Sequence, residues 1–181
     1  MKILKKNIPC ITRKESYKTP GHDGVCNENS NRDEENIAKK LFTQSRDTNG
    51  FDHIGKIIDY QTPLKDKNTD KAGKIDLLAF NKSTNTIRVL ELKRPDSKDT
   101  MLKCVLEGYT YMKICDWKKL KEDFNLPAES TVKSSPLVFV GSVQEKCMFD
   151  GNNPQLHKLM ELLDIKPFYI YEEKGKYAVK E

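Results

Sequence analysis

Two runs of alternating side chains, KIDLLAF at 74–80 and TIRVLELK at 86–93, constrain this chain more than any other feature. Each alternates with a period of two, and the short Asn-rich stretch between them makes an antiparallel hairpin the economical reading. Joining them through residues 81–86 pairs Phe80 with Ile87 and Leu78 with Val89. The same register sets Asp76 opposite Glu91, with Cβ atoms about 5 Å apart. Ile87, Val89, Glu91 and Lys93 then share one face, which begins in the core and carries Glu91 and Lys93 out of it at the strand end. Leu90 and Leu92 fill the other face, the pattern of a strand covered on both sides.

Around the hairpin the elements fall into place by periodicity. A helix is expected at 30–45, capped by Ser30 or Asn31, with Asp33 and Glu34 in capping-box position and Ile37, Ala38, Leu41 and Phe42 as its buried stripe. A strand at 54–60 precedes the hairpin. A helix at 97–115 follows it, its apolar side made by Met101, Leu102, Val105, Leu106, Tyr109 and Met112. The apolar run 136–143 reads as a central strand, 153–163 as a third helix, and 168–172 with 177–180 as a hairpin turning at Lys174-Gly175. The order is α-β-β-β-α-β-α-β-β, an α/β fold with a mixed central sheet flanked by helices. Residues 1–30 are polar, broken by Pro9, Pro20, Gly21 and Gly24, and read as an N-terminal arm or decoration on a domain spanning 31–181.

Composition excludes several classes. No stretch approaches the roughly 20 apolar residues of a membrane helix. The opening Met-Lys-Ile-Leu-Lys-Lys lacks the apolar core of an export signal, so the expectation is a cytoplasmic protein. The five cysteines are irregularly spaced and suggest reduced thiols, and Cys10, His22 and Cys26 match no zinc-finger spacing. A net charge of +5 from 32 bases and 27 acids leans mildly toward a polyanionic partner. Lys74, Lys93, Arg94, Lys98 and Lys103 are the basic residues near the hairpin that would contact phosphates.

A (D/E)-x-K tripeptide is uninformative alone, since the chain contains five of them. Only Glu91-Leu92-Lys93 lies in a strand that follows another strand bearing an unexplained acid. Two carboxylates placed opposite each other repel, and their burial is costly unless a cation neutralises them. A hard divalent ion is the usual partner of such a pair. Lys93, one pleat further along, is placed to polarise an attacking water or to steady a developing phosphorane charge.

At these residues the chain resembles the PD-(D/E)xK nuclease superfamily. GKIDLLAF followed by TIRVLELKRP is similar to the metal-binding hairpin of its RecB-like and archaeal mismatch-endonuclease branches, with Ile75-Asp76 in place of Pro-Asp. The likeness covers about 33–143 and implies a restriction-endonuclease-like αβββαβ core, extended here by a C-terminal helix and hairpin. It implies that Asp76, Glu91 and the Leu92 carbonyl hold Mg²⁺ or Mn²⁺, and that Lys93 supports the nucleophilic water. Many members add an acid from the first helix, for which Glu34 and Glu35 are both candidates; either is equally an ordinary acid favoured by the helix dipole. The Gln-x-x-x-Tyr of RecB-like members falls on Glu107 and Tyr111, with Glu replacing Gln. The implied activity is metal-dependent hydrolysis of nucleic acid, DNA before RNA, possible as a homodimer. The alternative is a catalytically inactive nucleic-acid-binding or interaction module of the same fold.

Overall fold

The computed structural model describes residues 8–26, 32–66 and 73–181. Among them are five helices and six strands. Helix α1 is Asp33–Asp47, followed by β1 (Lys56–Pro63), β2 (Lys74–Asn81) and β3 (Thr86–Leu92). Helices α2 (Met101–Ile114) and α3 (Trp117–Phe124) lead to β4 (Thr131–Phe139). Helices α4 (Val143–Phe149) and α5 (Pro154–Leu163) lead to β5 (Phe168–Glu173) and β6 (Lys176–Lys180). The strands form one mixed sheet in the order β1-β2-β3-β4-β5-β6, antiparallel except where β4 pairs in parallel with β3 and β5. The α/β class with a mixed sheet is therefore as expected.

The β2–β3 turn sets the register on which the site depends. Asn81 Oδ1 accepts from the N–H groups of Ser83 and Thr84 at 3.1 and 3.2 Å, and Asn85 takes a left-handed φ of 48°. Asn tolerates that conformation better than most residues, so the turn chemistry is written into the sequence. Phe80 pairs with Ile87 and Leu78 with Val89, as the alternation requires.

Alternation along the strands feeds three apolar clusters. Leu77, Ala79, Leu90, Leu92 and Leu137 pack beneath Ala38 and Leu41 of α1. On the opposite side, Leu78, Ile87 and Val89 pack with Leu120 of α3 and Cys115, and Val138 and Tyr169 pack with α2 and α5. Helices thus cover both faces of the sheet.

Several boundaries differ from expectation. Helix α1 begins at Asp33 with Arg32 as N-cap and no side-chain cap bond; the expected caps Ser30 and Asn31 lie outside the described residues. Helix α2 begins at Met101, where Thr100 Oγ1 accepts from the Lys103 N–H, and its buried residues include Cys104 and Gly108. Leu102 and Leu106 instead lie on the solvent side, 45% and 40% exposed. Strand β4 starts five residues before the expected 136. Pro136 lies inside it, at a point where β5 has not begun to pair, so its missing N–H leaves that ladder intact. Val143, expected in the strand, instead opens α4 and is 55% exposed.

The described part of the N-terminal arm, residues 8–26, is anchored to the core through a few side chains. Tyr17 is fully buried among Leu64, Ile75 and Leu120, and Arg13 is 6% exposed. Ile11 bridges to Cys115, and His22 stacks on Tyr60 of β1 with ring centroids 4.5 Å apart. All five cysteines are free, and no helix among the described residues is long and apolar enough to cross a membrane.

Candidate active site

The β2–β3 ladder ends at Leu77–Leu90, one step short of Asp76 and Glu91. There β3 continues on its other edge, pairing Glu91 with Pro136 and Leu92 with Leu137 of β4. The gap is bridged by a side chain: Asp76 Oδ2 accepts from the Leu92 N–H at 3.0 Å, and Oδ1 accepts from Gln61 Nε2 at 3.1 Å. Leu92 keeps its side chain in the core while its main chain meets the Asp76 carboxylate. A side-chain-to-backbone bond thus takes the place of the next ladder rung at the point where the two strands separate.

Glu91 and Lys93 do not emerge from the core. They are 4% and 5% exposed, and Lys93 Nζ donates to Glu91 Oε1 at 2.7 Å. The cover is α2, which approaches closely because residue 108 is glycine. A Cβ at Gly108 would lie 2.7 Å from Ser134 Oγ and 3.4 Å from the Glu91 Cβ. Glu91 Oε2 is buried with no hydrogen-bond partner. Such an atom is costly unless something unrepresented among the side chains satisfies it.

The electrostatics follow from this burial. Burial pushes the Glu91 carboxyl well above its ordinary range, and the Asp76 charge pushes it further; Lys93 pulls it partly back. Burial likewise raises Asp76, against the opposing pull of Lys93 and the Leu92 N–H. Burial alone would depress the Lys93 ammonium, but Glu91 at bonding distance, with Asp76 and Glu34 behind it, carries it above its usual value instead. The pocket is short of positive charge for its buried acids.

Glu107 and Tyr111 of α2 join the same cluster. Glu107 Oε2 is 3.4 Å from Lys93 Nζ, an ion pair that a glutamine could not make. Tyr111 lies over Gly73 at the entry to β2, where an added Cβ would fall 2.1 Å from its hydroxyl. Burial, then the charges of Glu91 and Glu107, push its phenol up to about 12, so it stays protonated as a donor.

The first-helix acids divide. Glu34 Oε1 accepts from the Arg94 N–H at 3.2 Å, in the segment just beyond β3. Glu35 turns back along its own helix to Lys39 at 3.0 Å and Arg32 at 3.1 Å. Both line a cleft of about 1050 Å³ with Gln61, Asp76, Arg94 and Lys98. Of the two, Glu34 alone meets the Arg94 main chain, while Asp33 of the same turn pairs with the Arg94 side chain at 2.7 Å.

Sequence reasoning did not find Gln61, Asp99 or Gly108. Asp99 stands 3.7 Å from Lys93 and binds Lys103 with both oxygens at 2.9 Å. Of the basic residues expected to meet phosphate, Arg94 and Lys98 line the cleft, and Lys93, Lys103 and Arg94 are each paired with carboxylates, Arg94 with Asp33 at 2.7 Å and Asp96 at 3.1 Å.

Among the described residues, no three His, Cys, Asp or Glu side chains are grouped to hold a metal. A closed zinc site takes about four protein ligands. Mg²⁺ and Mn²⁺ need only about one or two carboxylates, the rest of the shell being water and substrate oxygen. Asp76 and the unpartnered Glu91 Oε2 fit that smaller demand. No family model, curated protein or solved structure matches the chain.

Proposed function

We propose that this protein is a Mg²⁺- or Mn²⁺-dependent nuclease that hydrolyses phosphodiester bonds, DNA before RNA, on a restriction-endonuclease-like core. The observation that carries the reading is the unpartnered, buried Glu91 Oε2 beside Asp76 and Lys93. The run α1-β1-β2-β3-α2 followed by β4, with α3 inserted before it, supports the αβββαβ core.

In this reading Asp76 and Glu91, with the Leu92 main chain, hold the ion, and Glu34 extends the acidic set across the cleft. The bound ion supplies Lewis acidity toward a phosphoryl oxygen and a water acidic enough to attack at neutral pH. The chain's own residues do the rest. Lys93, fixed by Glu91, Glu107 and Asp99, places one buried positive charge where the phosphorane gains negative charge. Arg94 and Lys98 at the cleft receive the flanking phosphates. Tyr111, its phenol kept protonated by burial and by the nearby acids, stands over the entry to β2.

One observation favours a second reading. Lys93 already pairs with three carboxylates, so the cluster could be a closed ion-pair knot in a nucleic-acid-binding or interaction module without turnover. Thermal unfolding with and without Mn²⁺, beside cleavage of plasmid and single-stranded substrates, separates the two. The nuclease reading requires Mn²⁺ stabilisation that is lost in Asp76→Asn, and cleavage lost in Asp76→Asn and Lys93→Ala. A wild type indifferent to Mn²⁺ and inert on every nucleic acid would leave only the closed knot.

A further inference from the structure

Gln61 lies within β1 at a φ of 49°, left-handed backbone that a residue with a side chain rarely adopts. Strand β1 has already shifted register by one residue between Ile57 and Asp59, and beyond that bulge Tyr60 pairs with Leu77 and Thr62 with Ile75 on either side of Gln61. The effect of the left-handed residue is to send the Gln61 amide to Asp76 Oδ1 at 3.1 Å. Non-glycine residues persist in such conformations where the surroundings over-determine them, often beside functional groups.

The surroundings here are specific. Asp59 is 3% exposed, with no Lys or Arg paired to it among the described contacts. Thr62 Oγ1 donates to its Oδ2 at 2.7 Å, and His22 Nδ1 lies 2.7 Å from its Oδ1. A carboxylate only accepts, so the Nδ1–H of His22 is the donor. The Asp59–Thr62 bond spans Tyr60 and Gln61 and ties together the two ends of the segment that holds the left-handed residue. His22 is held over this segment by its stack on Tyr60.

We infer that His22, Asp59 and Thr62 form a brace that imposes the left-handed conformation on Gln61 and so fixes the orientation of Asp76. His22, on the N-terminal arm, is then a positioning residue for the candidate site, acting through Asp59, and Gln61 is the group that transmits the constraint. The functional part of this inference rests on Asp76 being a metal ligand; the brace itself does not. If the His22–Asp59 contact only tacked the arm to the sheet, cutting it would loosen the arm and leave Gln61 where it is.

The experiment is NMR of the full chain, reading the Gln61 Cα and Cβ shifts, which report left-handed backbone, and the exchange of its side-chain amide. His22→Ala and Thr62→Val should each move Gln61 to extended-strand shifts and expose its amide. His22→Gln, which keeps an N–H for Asp59, should retain the wild-type signature. Gln61→Gly should fold at least as well as wild type, because glycine accepts positive φ. Mn²⁺ affinity and cleavage should nevertheless fall by about 10- to 100-fold in Gln61→Gly, His22→Ala and Thr62→Val. Left-handed shifts at Gln61 that survive both His22→Ala and Thr62→Val would overturn the brace; should His22→Ala not fold, Thr62→Val alone decides it. Wild-type protein inert to Mn²⁺ and nucleic acid, yet showing the brace-dependent Gln61 signature, would support the brace and overturn the nuclease reading instead.

Discussion

Removing Lys93 and removing Glu91 should have very different consequences, because the two ends of their 2.7 Å ion pair are not equally supported. Glu91→Gln leaves the Lys93 ammonium beside Glu107 at 3.4 Å and Asp99 at 3.7 Å, and Gln still offers an oxygen to it. It also removes a repulsive neighbour of Asp76. The cost in metal-free protein should be about 1 kcal/mol or less, from weakening one charged hydrogen bond. Lys93→Met conserves the shape of the stem but leaves Glu91 and Asp76 with no cation inside the pocket. Breaking a buried pair from that side costs about 3–5 kcal/mol. The acids can escape part of that cost by taking up protons, so about 3 kcal/mol is expected at neutral pH, shrinking as pH falls. Urea unfolding of both variants in chelator, then in excess Mn²⁺, measures this. Mn²⁺ at about 100 times its dissociation constant adds about 2.7 kcal/mol to any form that binds it only when folded. Lys93→Met should bind more tightly than wild type, because no ammonium competes, and so regain the larger share. Equal losses in the two variants, unaffected by Mn²⁺, would refute the reasoning and leave an ordinary ion-pair cluster.

Three further outcomes follow from the packing and charge. Gly108→Ala gains about 1 kcal/mol of helix propensity but drives a methyl against Ser134 Oγ, an overpacking cost of about 1–3 kcal/mol. It should therefore destabilise, and adding Ser134→Ala, which removes a buried hydroxyl without a partner, should reverse the sign in a denaturation cycle. Tyr17→Ala should cost about 3–5 kcal/mol by the same unfolding measurement, as expected for a fully buried aromatic, and deleting the arm should abolish a cooperative transition. Metal-free protein should lose stability as pH rises from the ordinary carboxylate range through the raised values of Asp76 and Glu91. The sign is fixed because a folded state that holds its acid protons more tightly than the unfolded chain is favoured below that window. Thermal scans across pH should flatten on adding Mn²⁺.

What could be read from the sequence is what repeats locally. The 74–93 hairpin was legible because its apolar alternation, its Asn turn and its misplaced acid agree over about twenty residues, and the structure keeps its register as far as Leu77–Leu90. The apolar run 136–143 marks only the second half of β4, because the polar first half is buried at Ser134 and Ser135, which no hydrophobic pattern marks. Helices α3 and α4, of 8 and 7 residues, are too short to show a period. In the arm, Tyr17 is one aromatic among polar neighbours, and its burial is created by α3 and β2, far away in the chain.

The site divides along the same line. Asp76, Glu91 and Lys93 carry a spacing that strand geometry can interpret, yet their burial was read in the wrong sense, because the cover comes from a helix whose close approach is licensed by one glycine. Glu34 and Glu35 were indistinguishable as neighbours on one helix end and separate only through their partners: Glu34 meets the Arg94 N–H, and Glu35 meets Lys39. Gln61 and Asp99 had no local signal at all. Both act by holding a charged group that itself comes from another element, Asp76 in one case and Lys93 in the other. Residues of that kind owe their identity to a contact rather than to a pattern. A reading from sequence therefore recovers the groups that would do chemistry before it recovers the groups that hold them in place, and the latter are what decide whether a motif-complete pocket binds its ion or stays closed on its own lysine.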